Sequence, residues 1–288
     1  MRPVIVTVAP TGGMLTSAQH PYVPTQPGEI AADVARCVAA GASVAALHAR
    51  RPDQAATCDP EVYRSMTKLV LDRCDVVINH STGGGINGDL VRETGRGKVV
   101  DHEERLAGAF GGADTCTLDT ITAYVDGPDG EVLMSTPRSF ARRLAETFRE
   151  VGAKPEWEVF NHANLIADFP SLLEFDRAPY IVNLVLNQHR IFQNALPYTP
   201  SILRSLVSLL PEGAVFSATV CGPDPLPGLT DALDLGGHVR VGIEDSPFGA
   251  DGRPMSNVEQ VERVVALIRG RGDEPATPAQ AREILGLA

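Results

Sequence analysis

The residues best suited to chemistry gather in one short stretch, RVGIED, where Arg240, Glu244 and Asp245 lie within six positions. Side chains alternate across a strand, so Arg240 and Glu244 share a face with Gly242 between them. That face could hold an internal salt bridge. But Asp245 follows at once, and a second adjacent carboxylate serves a salt bridge poorly. The pattern points to a site that manages charge. His48, in LHAR, would on its own read as a core histidine bonded to a backbone carbonyl. Beside Glu244 it makes two of the three protein ligands that a catalytic zinc needs, leaving a position for substrate. The run Ser81, Thr82, Gly83, Gly84, Gly85 could offer hydroxyls and backbone N–H groups to a carboxylate or phosphate. His80 precedes that run, His162 lies in FNHAN and His189 in NQHR.

These residues need elements that bring them together. Short apolar, β-branched runs recur along the chain: 4–9, 43–48, 76–79, 114–118, 156–160, 180–186, 214–220 and 238–243. Between them lie helical patterns with clear stops and starts. Pro27 opens one and Gly41 ends it; Thr136 is expected to cap another, with Pro137 in its first turn and Gly152 at its end. Helices starting at Ser256 and Thr277 have the same design. Strand–helix alternation predicts a parallel sheet with helices outside it, and eight units in 288 residues predict a closed (β/α)8 TIM barrel, an α/β fold. An open doubly wound sheet is the alternative, but TGGM after the first run lacks the G-x-G-x-x-G spacing. The glycine-rich segment 108–112 reads as a turn into the fourth strand. The expectation is one barrel domain over 1–288 with a C-terminal helical extension. In such a barrel His48, His80, His162 and His189 all fall at C-terminal strand ends, where barrel enzymes place their sites.

Bulk properties narrow the partners. The net charge is −11 with no dense run of Lys and Arg, which argues against a nucleic-acid surface. The five cysteines form no C-x-x-C pair, so a disulfide framework or thiolate zinc site is not expected and a reducing compartment fits. MRPVIVTVAP reads as a first strand rather than a leader, and no apolar run approaches a membrane span. The expectation is a soluble, cytoplasmic protein acting on a small molecule.

The chain resembles the β-keto acid cleavage enzymes. The resemblance runs through VTVAPTGG, HPYVPTQPGEIA, GASVAALHAR, STGGG, KPEWEVF, GGHVRVGIED and the tail ATPAQAREILGL. It implies a zinc-dependent barrel, a homo-oligomer and specifically a tetramer, that condenses a β-keto acid with acetyl-CoA to give acetoacetate and a new CoA ester. It implies that Glu244 ligates the metal with histidines of the second strand. Asp245 would take a proton from the carbon between the keto and carboxylate groups, and Arg240 would stabilise developing negative charge. Ser81 and Thr82 match a loop that contacts the substrate carboxylate.

Four segments depart from the family pattern. Ala46 stands where the first strand-two histidine belongs, Met14 where some members carry glutamate, and NQHRIFQ and FNHAN replace the usual segments after strands six and five. The vacancy at Ala46 suggests His80, at the end of the neighbouring strand, as the replacement zinc ligand, with His162 and His189 left to meet substrate. Two other readings stay open: a metal-assisted lyase or hydrolase without CoA, and a metal-free binder. Retention of Arg240, Glu244 and Asp245 together speaks against the binder.

Overall fold

The computed structural model describes residues 1–127 and 130–287. Eight parallel strands close into a barrel in sequence order. They are β1 (Val6–Val8), β2 (Val44–Leu47), β3 (Val77–His80), β4 (Thr115–Asp119), β5 (Lys154–Val159), β6 (Tyr180–Leu186), β7 (Ala214–Val220) and β8 (His238–Val241). The β4–β5 pairing completes the ring begun at β8–β1. All eight apolar runs therefore become barrel strands.

Helices pack outside. The longer ones are α1 (Pro27–Ala40), α2 (Pro60–Leu71), α3 (Arg138–Val151), α4 (Pro200–Ser208), α5 (Leu226–Asp234), α6 (Asn257–Gly270) and α7 (Pro278–Leu285). Ser256 and Thr277 cap α6 and α7 through their hydroxyls, as their types suggest. Thr136 does not cap α3. The cap residue is Pro137, and the Thr136 hydroxyl donates instead to Asp119 and accepts from Arg105. A buried ion pair outcompeted a helix end for that hydroxyl.

Outward residues such as Val8, Leu47, Ile78, Leu118 and Val159 join helix side chains in one core between barrel and helices. At the N-terminal end of the barrel, inward residues Ile5, Val44, Val77 and Ile181 pack against Ala281 and Leu285 of α7, closing that end. Among the described residues the interior opens at the other end. There a four-stranded sheet rises beside the mouth, in the order Thr122–Gly127, Gly130–Ser135, Gly97–Val100, Val91–Thr94. The alternation in Thr122–Gly127 is the one periodic signal for this sheet, and it was passed over. Among the described residues no helix is long and apolar enough to cross a membrane.

Candidate active site

The open end of the barrel leads into a pocket of about 650 Å3. Its floor carries His48, Ser81, Asp119, Glu158, Arg240, Glu244 and Asp245. Alternation decides which residues reach it. Glu156 and Glu158 face inward from β5 while Trp157 packs outward, and Arg240 faces inward from β8.

Glu244 and Asp245 arrive differently from the strand alternation expected of them. Strand β8 stops at Val241, and the chain bends at Gly242, whose φ is +154°. A Cβ there would lie 2.1 Å from the Ala9 carbonyl oxygen, so only glycine permits the bend. The Asp245 and Ser246 N–H groups both donate back to the Gly242 carbonyl, forming a tight turn. Asn257 and Gln260 of α6 accept the Ile243 and Gly242 N–H groups at 2.8 and 3.1 Å, anchoring the turn to the helix. The turn curls both carboxylates back over Arg240.

Arg240 is the hub. Its Nε donates to Asp245 Oδ2 at 2.9 Å and its Nη2 to Asp245 Oδ1 at 3.1 Å, a two-point grip. Nη2 also lies 2.8 Å from Glu244 Oε1, and Nη1 is 3.4 Å from Glu158 Oε1. One guanidinium thus faces three carboxyl groups, Asp245 buried and the two glutamates half-buried, and cannot keep all of them equally ionised. Burial pushes Glu158 up to about 8, with Arg240 pulling against it. Burial also raises Asp245, and the neighbouring Glu244 adds to the rise against the pull of Arg240. For Glu244 burial loses: Arg240 and His48 together hold it below the usual carboxylate range. The result is an ionised Glu244, an Asp245 of enhanced basicity, and a Glu158 that keeps its proton at neutral pH.

His48 Nδ1 lies 3.0 Å from the Gly84 carbonyl, which can only accept, so Nδ1 carries a proton. Nε2 then points at Glu244 Oε1, 3.1 Å away. The loop after β1 closes over the pair: Gly12, with φ +63°, is packed so tightly that a Cβ would sit 2.8 Å from Glu244 Cγ. Buried Arg50 pins this loop by donating to the Gly12 and Leu15 carbonyls.

The expected site residues divide. Ser81, Gly83 and His189 line the pocket with His48, Arg240, Glu244 and Asp245; His189 is exposed at the rim. Thr82 does not: its hydroxyl donates to the Thr117 carbonyl at 2.7 Å, and its N–H to the Thr117 hydroxyl at 2.9 Å. His162 lines a separate surface groove with Arg138 and Asn164, its Nε2 3.0 Å from the Ser205 hydroxyl. His80 must be corrected as a ligand candidate. On β3 Asn79 faces the interior, so His80 faces outward, where it bonds Thr67 of α2 at 2.8 Å and stacks on Tyr63. Asp119, at the end of the fourth strand, lines the pocket, and so do Glu158 and Phe160, which sequence reasoning passed over. Two glutamates alternating with Trp157 and Val159 on a barrel strand were the available signal for Glu158.

The outward place of His80 has a measurable consequence. Burial lowers its pKa from 6.5 to about 3, so it is neutral in the folded chain. Below pH 6.5 the unfolded chain takes up a proton that the folded site refuses, so stability is lost progressively from there toward the lower value. His238, held down by burial to about 4, adds to the loss. His80→Gln should flatten the fall in Tm between about pH 7 and about pH 4.5, read by thermal melts. An unchanged slope would assign the acid sensitivity to other groups.

The donors also bear on a metal. His48 Nε2 and Glu244 point at each other, and Glu244 Oε2 is buried without a hydrogen-bond partner. A divalent cation would satisfy both. Ala46, two residues before His48 and on the same inward face, adds no third donor, and no group of three or more His, Cys, Asp or Glu side chains is placed to hold a metal among the described residues. The residues thus fit a cation held at two protein points, with its remaining positions open.

A closed parallel barrel with charged groups converging at the C-terminal ends of its strands, beneath a deep pocket, defines a (β/α)8-barrel enzyme. A profile described as beta-keto acid cleavage enzyme matches residues 3–287, and the chain belongs to that family. A 3-keto-5-aminohexanoate cleavage enzyme of Acetoanaerobium sticklandii is 31% identical over 294 residues, covering 100% of both chains. A 3-dehydrocarnitine:acetyl-CoA trimethylamine transferase of Rhizobium meliloti is 28% identical, covering 99% of this chain and 97% of that protein. Among solved structures, ObcA in its binary complex with oxaloacetate shares the fold with a TM-score of 0.70 at 22% identity, over 92% of this chain and 67% of that one.

Proposed function

We propose that the chain converts a β-keto acid, R–CO–CH2–COO−, and acetyl-CoA into acetoacetate and R–CO–CoA. The observation that carries this reading is the two-point grip of Arg240 on Asp245 at the pocket floor. It presents a carboxylate of raised basicity beside a fixed cation, the pairing that removal of a proton next to a carbonyl requires. The names of the relatives supply the substrate class.

In this account the Ser81–Gly83 loop receives the substrate carboxylate. Asp245 takes a proton from C2, between the keto and carboxylate groups, and Arg240 offsets the negative charge that develops. The C2 carbanion attacks the thioester carbon of acetyl-CoA, forming a carbon–carbon bond and releasing the CoA thiolate. The thiolate adds to the keto carbon, the bond from that carbon to C2 breaks, and R–CO–CoA leaves. Asp245 returns its proton to C2, completing acetoacetate. Protonated Glu158, beside Arg240, is placed to donate a hydrogen bond to an oxygen that gains charge on the way.

The reading includes a divalent cation, zinc by resemblance, between His48 and Glu244; when bound it would polarise the carbonyl oxygens of the keto acid as a Lewis acid. With two protein donors, retention should be weak. Ala46→His restores a donor on the inward face and should raise affinity at least about tenfold, since even outer-shell partners of ligands are worth that much. Metal content after dialysis, by plasma mass spectrometry, reads this without any assay of turnover. Equal content in both proteins would count against the two-point site.

The same proposal covers a cytoplasmic homotetramer, which rests on the cysteine pattern and the resemblance and is read by light scattering. The function itself is tested by incubating the protein with β-keto acids, with and without acetyl-CoA. Acetoacetate formed only when both are present supports it. Breakdown of the keto acid that ignores acetyl-CoA would favour a lyase or hydrolase on the same barrel.

A further inference from the structure

We infer that the R group of the keto acid is uncharged and apolar, a short alkyl chain seated between Phe160, Val185, Met134, Ile86 and Phe192; this rests on the reading above and specifies its substrate class. Three neighbouring strands change character toward the barrel mouth. On β5 the inward residue Glu158 is followed by Phe160, on β6 Asn183 by Val185, and on β7 Thr219 by Cys221. Two residues is the repeat of one strand face, so each pair stacks a polar group at the floor beneath an apolar one at the wall.

The wall continues beyond the barrel. Ile86 and Met134 face the pocket beside the four-stranded sheet and belong to the same buried apolar cluster as Phe160 and Val185. Phe192, on the loop after β6, stacks on Phe160 with ring centroids 5.5 Å apart. That loop is tied to the sheet through the Val125–Phe192 bridge and the Gln193 N–H to Tyr124 carbonyl bond, so the wall is fixed in place.

Among the described residues no buried counter-charge serves this wall. Arg240 is committed to Asp245, Glu244 and Glu158, and Asp119 to buried Arg105 at 2.7 Å. Arg190 and His189 line the pocket only at its exposed rim. An ammonium or carboxylate on R would be desolvated there without a partner. The pantetheine arm of CoA is a poorer occupant than an alkyl chain, because its amides would also go unpaired.

The test is a panel of 3-oxopentanoate, 3-oxohexanoate, 3-oxoadipate and 3-oxo-5-aminohexanoate at saturating acetyl-CoA. Acetoacetate formation should rise about fourfold in kcat/KM with the methylene gained from the first acid to the second. Both charged acids should trail 3-oxohexanoate by about tenfold or more. Val185→Asp should cut the rate on 3-oxohexanoate by at least about tenfold and narrow the gap to the amino acid analogue, with the KM for acetyl-CoA unmoved. A wild-type preference for either charged acid would overturn the inference while leaving the reaction standing. So would a Val185→Asp variant whose KM for acetyl-CoA rises alike with every acid, because the wall would then hold CoA. Tight calorimetric binding of 3-oxohexanoate over both charged acids, with no acetoacetate from any, would instead keep the apolar subsite and sink the reaction.

Discussion

Asp245→Asn is expected to fold as well as the parent and to lose turnover by about two to four orders of magnitude, the usual contribution of a positioned base. The amide keeps the shape and can still accept from Arg240, but it cannot take the C2 proton. Folding should not suffer, because Asp245 shares one guanidinium with Glu244 and Glu158. Removing its negative charge relieves the repulsion from ionised Glu244. Steady-state kinetics and a melting curve on the same preparation separate the effects. Near-normal turnover with a changed Tm would mean that Asp245 serves the turn after β8 and not the reaction.

Arg240→Lys should lower kcat by about a hundredfold or more, the range seen when one preorganised donor to developing charge is removed. The substitution keeps the positive charge that three carboxyl groups require, so it avoids the larger loss expected if they were left without any cation. What it removes is the fork: Nε and Nη2 hold Asp245 at two points while Nη1 reaches Glu158. An ammonium cannot make those contacts together. Tm should fall modestly, because the donors lost are buried. Unchanged kinetics with a sharply lower Tm would reduce Arg240 to a bridge that closes the barrel.

Much of this was legible in the chain. The eight β-branched runs became the eight barrel strands because a parallel sheet covered on its outer face favours such residues along its whole length. The sheet made by Val91–Thr94, Gly97–Val100, Thr122–Gly127 and Gly130–Ser135 was missed, half of it for a physical reason. Val91–Thr94 and Gly97–Val100 are short and largely exposed, a pattern shared with loops, whereas Thr122–Gly127 alternates exposed with buried residues, a strand signal that was passed over. Arg240, Glu244 and Asp245 do lie together, though through the turn at Gly242 and not through strand alternation. Alternation does govern β3, and carried one residue further it would have turned His80 away from the pocket, since Asn79 bonds Glu156 inside the barrel. Thr82 shows a limit of another kind. Its hydroxyl was expected to meet a carboxylate, but the neighbouring strand offers Thr117 as a partner, and a buried hydroxyl takes the nearest acceptor.

The central claim is an exchange of acyl groups through C2 of the keto acid, and a labelling experiment tests it most directly. The protein is incubated with an unlabelled β-keto acid and acetyl-CoA carrying 13C in the acetyl methyl, and the acetoacetate is examined by NMR. The account predicts label in the methyl group of acetoacetate, next to its keto carbon, and an unlabelled R–CO–CoA in equal amount. Acetoacetate without label, or label recovered only in acetate, would contradict it.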